Sequence, residues 1–444
     1  MPQIRPFRAL RYVPGIGDLS QLVAPPYDVI SAEERERLVE RHPKNVVRLD
    51  FPIEEEGDAP DDRYRRAART LAAWRSDGTF RKDPRPGLYL LEQTYRLPGA
   101  GSSRTTRGFF GRLKLEAFGP GSGVLPHEGT IAGPREDRYK LLRATGVNTS
   151  PTVGLVPDQT GRIAHVLADQ ATAPPDVEAT DDARVANRLW VLPDDGDPDG
   201  PVANLVGLAG AEPVTIADGH HRYETALRYR DERRMSLACE EDPAFDYVLM
   251  LFAPASDPPT VLATHRVVRD VGDDGVGRLL DRLDSLFEVR TPVSADELRV
   301  TFGSARADGS DSPREGLGRF GLWTRWGGAL LIANRPTFAP FLPDGGSALR
   351  DLDVTLLGVA LDRLCGIDSD ALMAGGRLTY TKSVDEAIAW VDDGTDGADV
   401  AFLLDPTPIR DITAVAADGD VMPQKSTYFY PKAPTGLVIN PHES

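Results

Sequence analysis

Apolar residues recur along this chain with two different periods, and each period predicts a different kind of element. Residues 61–75 carry apolar side chains at helical spacing, and Asp77-Gly78 follows them as a stop signal. Ser31 is followed three residues later by Glu34, a capping-box pattern that predicts a helix from residue 31 to about residue 42. The same criteria predict helices over residues 134–143, 221–234, 276–287, 352–364, 385–391 and 409–417.

The predicted strands are short runs rich in β-branched, aromatic and leucine residues. Residues 88–97 and 106–116 are expected to pair as a hairpin, with the Gly- and Ser-rich residues 98–103 between them. Residues 158–200 are acidic and rich in Asp, Pro and Ala, so they are expected to form a surface excursion that contains one strand at 188–192. Further strands are predicted over residues 214–217, 247–252, 261–268, 321–324, 329–333 and 400–404.

Helices and strands alternate without an internal repeat, which predicts a mixed α/β (α+β) fold. The polar, glycine-containing segment 270–275 is a natural break in this alternation. We therefore expect an α/β region over residues 1–270 that carries the functional site and a C-terminal α/β region over residues 271–444. The tail, residues 416–444, is expected to return to the site.

Charge changes this picture by excluding one class of partner. The chain has 444 residues, with 51 Lys and Arg against 68 Asp and Glu, a net charge of −17 and a pI near 4.9. A polyanion of this kind repels phosphate backbones unless one face is basic, and no run of Lys or Arg provides such a face. Nucleic acid is therefore not an expected partner.

The expected location is the cytoplasm. Cys239 and Cys365 lie far apart and have neither zinc nor CxxC spacing, which fits a reducing compartment. The N-terminal segment lacks an apolar signal core, and no apolar run approaches the roughly 18 residues that a spanning helix needs. We expect a soluble protein that does not interact with membranes.

The most specific local pattern lies at residues 214–227, where a strand, a tight turn at Asp218-Gly219 and a helix follow one another. The helix begins with His220, His221 and Arg222. Free N–H groups at a helix start favour an anion, and an arginine can grip phosphate through two parallel bonds. A histidine there can donate to phosphate or move a proton near neutral pH. The pattern predicts a phosphate site; the alternative is a self-capped polar helix start.

The sequence Asp218-Gly219-His220-x-Arg222 resembles the phosphate-binding signature of the ParB/sulfiredoxin-like superfamily, and within it that of free serine kinases. Sulfiredoxin carries its reactive cysteine where this chain has His220, so sulfiredoxin chemistry is excluded. The resemblance implies a ParB/sulfiredoxin-like nucleotide-binding core with an additional mixed α/β region. It also implies ATP or ADP, with Mg²⁺, as cofactors.

Five blocks of sequence resemble those of an uncharacterised prokaryotic family, a domain of unknown function whose members have about this length. The blocks are residues 24–30, 45–49, 125–130, 217–227 and 422–432. Because they span nearly the whole chain, the protein is identified as a member of that family. The resemblance implies a phosphoserine-related metabolite as substrate.

Two further blocks are candidates for the same site. His127 and Glu128 lie in a loop between a glycine-rich turn and a helix, where they are expected either to act as base and orienting group or to sit in an ordinary surface loop. Lys425, Ser426 and Thr427 lie in the tail without the glycines of a P-loop. They are expected either to close over phosphates or to dock the tail through the aromatic residues that follow.

Asp28 is the remaining catalytic candidate. It follows Pro25-Pro26, whose fixed φ angles hold the turn rigid, and precedes the helix capped at Ser31. A carboxylate held in this way can bind Mg²⁺ or accept a hydroxyl proton, or it can simply cap the turn.

These candidates favour a phosphotransferase that moves a phosphoryl group between a nucleotide and a small hydroxyl metabolite of the serine or phosphoserine kind. In this hypothesis His220, Asp28 and Glu128 are catalytic, and Lys425 neutralises developing charge. The residues expected to bind the nucleotide are Asp218, Gly219, His221, Arg222, His127, Lys425, Ser426 and Thr427. Two alternatives stay open: a ParB-like nucleotide-binding switch or partner protein without catalysis, and a metal-dependent phosphoester hydrolase using His127, Glu128, His220 and His221.

Overall fold

A nine-stranded sheet and a six-stranded sheet organise the protein, seen here as a computed structural model that describes residues 1–97, 102–129, 132–236, 241–303, 318–368 and 376–442. The strands, in chain order, are β1 (Ile4–Arg5), β2 (Leu10–Tyr12), β3 (Phe80–Lys82), β4 (Gly87–Arg96), β5 (Ser103–Lys114), β6 (Val124–Leu125), β7 (Val147–Asn148), β8 (Thr152–Val156), β9 (Val177–Thr180), β10 (Ala186–Pro193), β11 (Val214–Asp218), β12 (Tyr247–Pro254), β13 (Thr260–Leu262), β14 (His265–Arg269), β15 (Phe287–Val293), β16 (Arg319–Thr324), β17 (Gly327–Ala333), β18 (Leu378–Thr381), β19 (Ala398–Leu403), β20 (Tyr428–Tyr430) and β21 (Asn440–Pro441).

The helices surround these sheets. They are α1 (Leu19–Leu22), α2 (Ala32–Arg41), α3 (Val47–Asp50), α4 (Asp62–Ser76), α5 (Ala132–Thr145), α6 (Arg162–Gln170), α7 (Pro201–Ala209), α8 (His220–Ser236), α9 (Gly272–Leu280), α10 (Ala295–Phe302), α11 (Arg335–Phe338), α12 (Ser347–Arg350), α13 (Asp353–Cys365), α14 (Val384–Asp393) and α15 (Ile409–Ala417). Short 3₁₀ turns cover Tyr27–Val29, Ala244–Asp246, Leu283–Ser285, Ala339–Phe341 and Thr395–Gly397. The predicted mixed α/β class is confirmed.

The large sheet is mixed. Its order is β6-β11-β8-β12-β5-β4-β10-β9, and β1 pairs with β5 beside this path. The pairs β6–β11 and β8–β12 are parallel, whereas the other pairs are antiparallel. Phe109 and Phe110 are adjacent in β5 and both are fully buried, because alternate side chains of a strand enter the apolar layers on opposite faces of the sheet.

The second sheet has the order β15-β17-β16-β19-β14-β18, and its strands pair antiparallel. One apolar layer runs between the two sheets: it includes Phe110 and Leu251 from the large sheet and Phe320 and Phe402 from the second. The antiparallel ribbon β13–β20 also contributes to this layer through Val261 and Phe429. The tail strand β20 is therefore packed where the two sheets meet.

Two predictions about these elements were wrong. The run 261–268, expected to form one strand, is divided into β13, which pairs with the tail, and β14, which belongs to the second sheet. Its continuous β-branched and apolar composition gave no signal for the break. Residues 158–200 are not a surface excursion, because β10 pairs with both β4 and β9 and buries Leu189 and Trp190.

Other predicted elements need smaller corrections. The helix expected at 276–287 is α9, which begins earlier, at Gly272 within the expected break, and ends before β15 starts at Phe287. The connection expected at 98–103 lies partly outside the described residues, and the strands on either side of this connection, β4 and β5, pair antiparallel. Cys239 also lies outside the described residues. The division of the chain at residue 270 stays a prediction. Within the residues described, no helix is long and apolar enough to cross a bilayer.

We expect Phe402→Ala to lower the free energy of unfolding by about 3–5 kcal/mol, because Phe402 is fully buried in β19 between two neighbouring strands and its loss leaves a cavity. Urea unfolding followed by tryptophan fluorescence measures the change. Val300→Ala is the control: Val300 is 79% exposed, and its replacement should change stability by less than about 0.5 kcal/mol. A loss below about 1 kcal/mol for Phe402→Ala would contradict this packing.

Candidate functional site

The site is built where two parallel strands end. Val124 and Leu125 of β6 lie beside Val214 and Thr215 of β11, so the residues that follow each strand emerge side by side. His127-Glu128 follows β6. The ladder between β11 and β8 shifts register between Ile216 and Asp218, an irregularity of the kind that re-aims side chains beside active sites. Two blocks that are about ninety residues apart in sequence therefore meet at one sheet edge.

The turn that joins β11 to α8 requires a glycine. Gly219 has a φ of +87°, a conformation that costs other residues strain, and a Cβ atom added there would lie 2.9 Å from Nε of Arg222. The guanidinium of Arg222 thus packs directly against the turn. α8 begins at His220, and the N–H groups of its first turn are donors that no helical carbonyl satisfies.

These two loops line a cavity of about 470 Å³. Its lining comes from four parts of the chain that are remote in sequence: the N-terminal turn, the ends of β6 and β11, the second sheet and the tail. The lining residues are Tyr27, Asp28, Val29, Ile30, Ser31, Glu128, Gly129, Ala217, Asp218, Gly219, His220, His221, Arg222, Thr264, Tyr380, Lys382, Lys425, Thr427, Tyr428, Phe429 and Lys432.

A larger cavity, of about 940 Å³, lies beside β8, the 255–261 segment and α15. Its described lining includes none of the predicted site residues and is rich in proline and apolar side chains. The smaller cavity gathers carboxylates, histidines, an arginine and lysines around one space, and the pKa values of three of these groups, Glu128, Asp218 and His220, depart strongly from their ordinary range. We therefore take the smaller cavity as the candidate site.

The tail crosses this cavity and is bonded to its wall. The Met422 N–H donates to the carbonyl of His127 at 2.7 Å, and the Lys425 N–H donates to Oε1 of Glu128 at 3.1 Å. Oγ1 of Thr427 lies 3.0 Å from Nε2 of His127. Beyond these contacts β20 pairs with β13. The structure thus brings the tail block onto the His127-Glu128 block.

Asp218 lies between two cations. Oδ2 of Asp218 accepts from Nη2 of Arg222 at 3.2 Å, and its Oδ1 is 3.4 Å from Nζ of Lys432. Burial disfavours the ionised form of Asp218, but Lys432 and then Arg222 outweigh burial and hold its pKa well below the usual range. Nη1 of Arg222 also donates to the carbonyl of Pro151. Two donor groups of Arg222 therefore hold the turn. The sequence instead predicts that the guanidinium is available to bind a phosphate through two parallel hydrogen bonds.

The two central histidines are buried and neutral. Nδ1 of His127 lies 2.5 Å from the carbonyl of Ile216, so Nδ1 carries the proton and Nε2 accepts from Thr427. Nε2 of His220 accepts from the His127 N–H at 3.2 Å, which places the proton of neutral His220 on Nδ1. Burial lowers the pKa of His127 to about 4, and burial together with His127 lowers that of His220 well below its ordinary value. His127 lies behind the cavity wall, whereas His220 lines it.

Glu128 is the titrating group of the site. Burial raises its pKa to about 7, against a smaller opposing effect of the Lys425 N–H and ammonium. A carboxyl with this pKa exchanges a proton close to neutral pH, the property that a general base requires.

The other predicted residues take different places. Asp28 is exposed at the rim, in the turn Tyr27–Val29, and the guanidinium of Arg138 lies 3.9 Å from the Tyr27 ring centroid beneath it. His221 lines the cavity, and burial lowers its pKa. Ser426 is buried and donates to the carbonyl of Pro423, so it points away from the cavity. Three basic residues of the nearby helix α5 are paired with carboxylates: Arg135 with Glu224, Arg138 with Asp137 and Lys140 with Asp61.

Sequence reasoning did not assign to the site two further lysines, Lys382 and Lys432, that the C-terminal half brings to the cavity. Lys382 follows β18, and its ammonium lies 4.3 Å from the ring centroid of Tyr428. Lys432 lies 4.4 Å from the same centroid. Lys432 belongs to a block that was recognised as a family resemblance, and that block was the available signal for it; Lys382 stands in an ordinary strand-to-helix connection and gave none.

The donor set was tested for a metal ion. In the part of the chain that the structure describes, no group of three or more His, Cys, Asp or Glu side chains is arranged to hold one. His127 and His220 use ring nitrogens on protein atoms, which disfavours the hydrolase ligand set. Asp28, exposed at the rim, fits Mg²⁺ in one way, as a carboxylate partner of an ion that also binds substrate phosphates.

The sequence was then compared with known proteins. It matches the family described as "Protein of unknown function (DUF1015)" over residues 4–355. The chain belongs to the DUF1015 family. A comparison of this DUF1015 protein with curated proteins found no match.

Three solved structures resemble this DUF1015 protein distantly. A conserved hypothetical protein from Pyrococcus furiosus is 15% identical, with 71% of this chain and 91% of that chain covered at a TM-score of 0.34. A free serine kinase in complex with AMP is 13% identical, with coverages of 71% and 88% and a TM-score of 0.34. SbnI from Staphylococcus aureus, with a C-terminal truncation, is 11% identical, with coverages of 72% and 84% and a TM-score of 0.34. Similarities this distant carry no argument about activity.

We expect Gly219→Ala to destabilise this DUF1015 protein by about 1–3 kcal/mol, because alanine is strained at this φ and its Cβ meets the Arg222 guanidinium. Thermal unfolding measures the loss. Gly277→Ala is the matched control, since Gly277 lies in α9 with nothing within 4 Å of an added Cβ, and there alanine should preserve or raise stability. Equal effects of the two substitutions would contradict the described turn.

We also expect Glu128→Gln to change how stability depends on pH. Between the ordinary value of 4.5 and about 7, the folded protein keeps a proton on Glu128 that the unfolded chain has lost, so stability falls as pH rises through this window. The unfolding free energy of the variant minus that of the wild type should therefore rise from pH 4.5 to 7 and then level. Glu136→Gln, at an exposed carboxyl paired with Arg228, should show no such rise. A flat difference for Glu128→Gln would show that Glu128 does not titrate in this window.

Proposed function

We propose that this protein is a phosphotransferase that moves a phosphoryl group between a nucleotide and a small hydroxyl metabolite of the serine or phosphoserine kind. The observation that carries the proposal is the convergence of Glu128, the first turn of α8 and the cavity lysines around one space of about 470 Å³. Phosphoryl transfer needs a base near the nucleophile and positive groups around the transferring phosphate, and these residues supply both kinds of group.

The first turn of α8 is proposed to receive the transferring phosphoryl group. Its unsatisfied N–H groups face a cavity, and the helix dipole adds positive potential at the same point. His220 contributes as a donor: because its Nε2 accepts from the His127 N–H, its Nδ1–H is available for a phosphate oxygen. In this role His220 stays neutral and does not exchange its proton.

Glu128 is proposed as the general base. The hydroxyl oxygen of the metabolite bonds to phosphorus, the bond from phosphorus to the bridging oxygen of the nucleotide breaks, and the nucleotide leaves with that electron pair. The hydroxyl proton passes to the carboxylate of Glu128, whose pKa of about 7 suits this transfer. Asp28, exposed at the rim, is assigned to orient the metabolite and, with phosphate oxygens, Mg²⁺. When bound, Mg²⁺ would neutralise charge on the phosphates.

Two other considerations support this proposal. The Asp218-Gly219-His220-x-Arg222 turn resembles that of free serine kinases and of the ParB/sulfiredoxin-like superfamily, which is the basis for proposing ATP or ADP as the nucleotide and a ParB/sulfiredoxin-like core. The strongly acidic composition of the chain disfavours DNA as a partner.

The decisive experiment incubates the purified protein with Mg²⁺ and either serine plus ATP or ADP, or phosphoserine plus AMP or ADP, and follows products by chromatography. Turnover in either direction supports the proposal. Nucleotide binding without turnover favours a ParB-like switch, and phosphate release without nucleotide favours a phosphoester hydrolase. Inactivity across a panel of phosphorylated hydroxyl metabolites would contradict all enzymatic versions.

We expect Glu128→Gln to lower kcat by at least about 100-fold, because it removes the base and keeps an acceptor for the Lys425 N–H. The wild-type rate should rise with pH and level above about 7, since the active form is the carboxylate. Glu136→Gln, at an exposed ion pair on α5, should leave the rate unchanged. A wild-type pH profile retained in Glu128→Gln would remove Glu128 from the mechanism.

A further inference from the structure

The second sheet and the tail bring three lysines to one side of the cavity. Lys382 follows β18, while Lys425 and Lys432 flank β20. The ammonium groups of Lys382 and Lys432 lie 4.3 and 4.4 Å from the centroid of the same Tyr428 ring, so both ammonium groups approach one side chain. These two ammonium groups therefore lie beside one aromatic ring, and Lys425 lines the same cavity.

Carboxyl groups balance the charge of this cluster only in part: Glu128, for example, interacts with both Lys425 and Lys432. Asp218 is 3.4 Å from Lys432, but Asp218 is shared with Arg222. Neither Lys382 nor Lys425 forms an ion pair with any carboxylate that the structure describes. Burial and then the charges of Lys432 and Lys425 lower the pKa of Lys382, against an opposing effect of Glu386.

Arg222, the cation expected from sequence to grip phosphate, is engaged elsewhere. Its side chain is 9% exposed and bonds to Asp218 and to the carbonyl of Pro151. The unneutralised charge of the cavity therefore lies on the lysines.

We infer that Lys382, Lys425 and Lys432 form a subsite for a pyrophosphate group, the two linked phosphates of a nucleoside triphosphate that remain when the transferring phosphoryl is at α8. This inference rests on the proposed function, and it deepens it in two respects: it assigns the polyphosphate to residues outside the Asp218–Arg222 turn, and it selects a nucleoside triphosphate over a diphosphate as the phosphoryl donor. Pyrophosphate carries more negative charge than orthophosphate and has oxygen atoms on two phosphorus atoms, so it can contact more of the three ammonium groups at once.

The subsite also has a structural consequence. Lys382 follows β18 of the second sheet, Lys425 and Lys432 belong to the tail, and the first turn of α8 follows β11 of the large sheet. A ligand that contacts the lysines and α8 together joins these three parts of the molecule, and its binding energy opposes their separation.

The test uses inorganic pyrophosphate and orthophosphate as probes, titrated into the full chain by calorimetry at fixed ionic strength. We expect pyrophosphate to bind at least about tenfold more tightly than orthophosphate, and its binding to weaken as salt rises. Lys382→Met should weaken the binding of pyrophosphate about tenfold or more. Lys382→Arg keeps the charge, so it should retain most of the wild-type affinity for pyrophosphate. Lys140→Met is the control, since Lys140 pairs with Asp61 away from the cavity lining.

Lys432→Met and Lys432→Arg form a second pair. Lys432 also partners Asp218, so thermal unfolding of both variants separates a loss of affinity from a loss of folding. The inference is overturned if pyrophosphate binds no more tightly than orthophosphate, or if Lys382→Met binds it as the wild type does. Because these titrations need no turnover, they separate the two proposals. Lysine-dependent pyrophosphate binding without phosphoryl transfer contradicts the proposed function alone, and transfer with unchanged binding in Lys382→Met contradicts the subsite alone.

Discussion

The carboxylate of Asp218, shared between Arg222 and Lys432, is the interaction on which the rest of the site depends. A buried carboxylate is unfavourable unless cations and hydrogen bonds compensate it, and each of these cations comes from a different element. Arg222 ties Asp218 to the helix that follows it, and Lys432 ties it to the tail. The conformation of the Asp218-Gly219 turn, the start of α8 and the path of the tail are therefore coupled through one charged group.

This coupling also explains the contrast between the surface and the cavity. The chain carries a net charge of −17, yet the cavity is lined by Arg222 and three lysines, and its two central histidines are neutral. An anionic ligand is repelled by the exterior at long range and attracted once inside the cavity, where screening by solvent is weaker. Which anion binds most tightly then depends on how many of these cations its shape allows it to contact.

Local signals made much of the fold predictable. The Ser31 cap, the helical spacing of residues 61–75 and the strand-turn-helix at residues 214–227 depend on neighbours in sequence, and the structure has a helix or strand at each. The division of residues 260–269 between two partners could not be predicted, because strand pairing is decided by distant β20 and β18.

Some residues of the site could likewise be predicted from sequence, and others could not. Asp28, Glu128 and the Asp218–Arg222 turn stand out in sequence because polar residues follow rigid turns or strand ends, and the structure brings them to one cavity. The sequence could not give the direction of each side chain. Ser426 was expected in the site but is buried. It follows Lys425, whose backbone has the left-handed φ of 58°. Lys382 was missed because only the packing of the second sheet brings it to Tyr428.

The crossing of the cavity by the tail has a kinetic meaning. Asp28 and Lys425 are about 400 positions apart, and closing so long a loop gives up chain entropy before any contact compensates for it. The two sheets contain longer ladders, some of them between strands adjacent in sequence, so they can form first, and the cavity is completed when β20 pairs with β13. Under mild denaturing conditions the order reverses, so the short strand β20 would detach first. The cavity would then be lost while both sheets remain folded. Hydrogen exchange at residues 428–430 would detect this partial unfolding before any global transition.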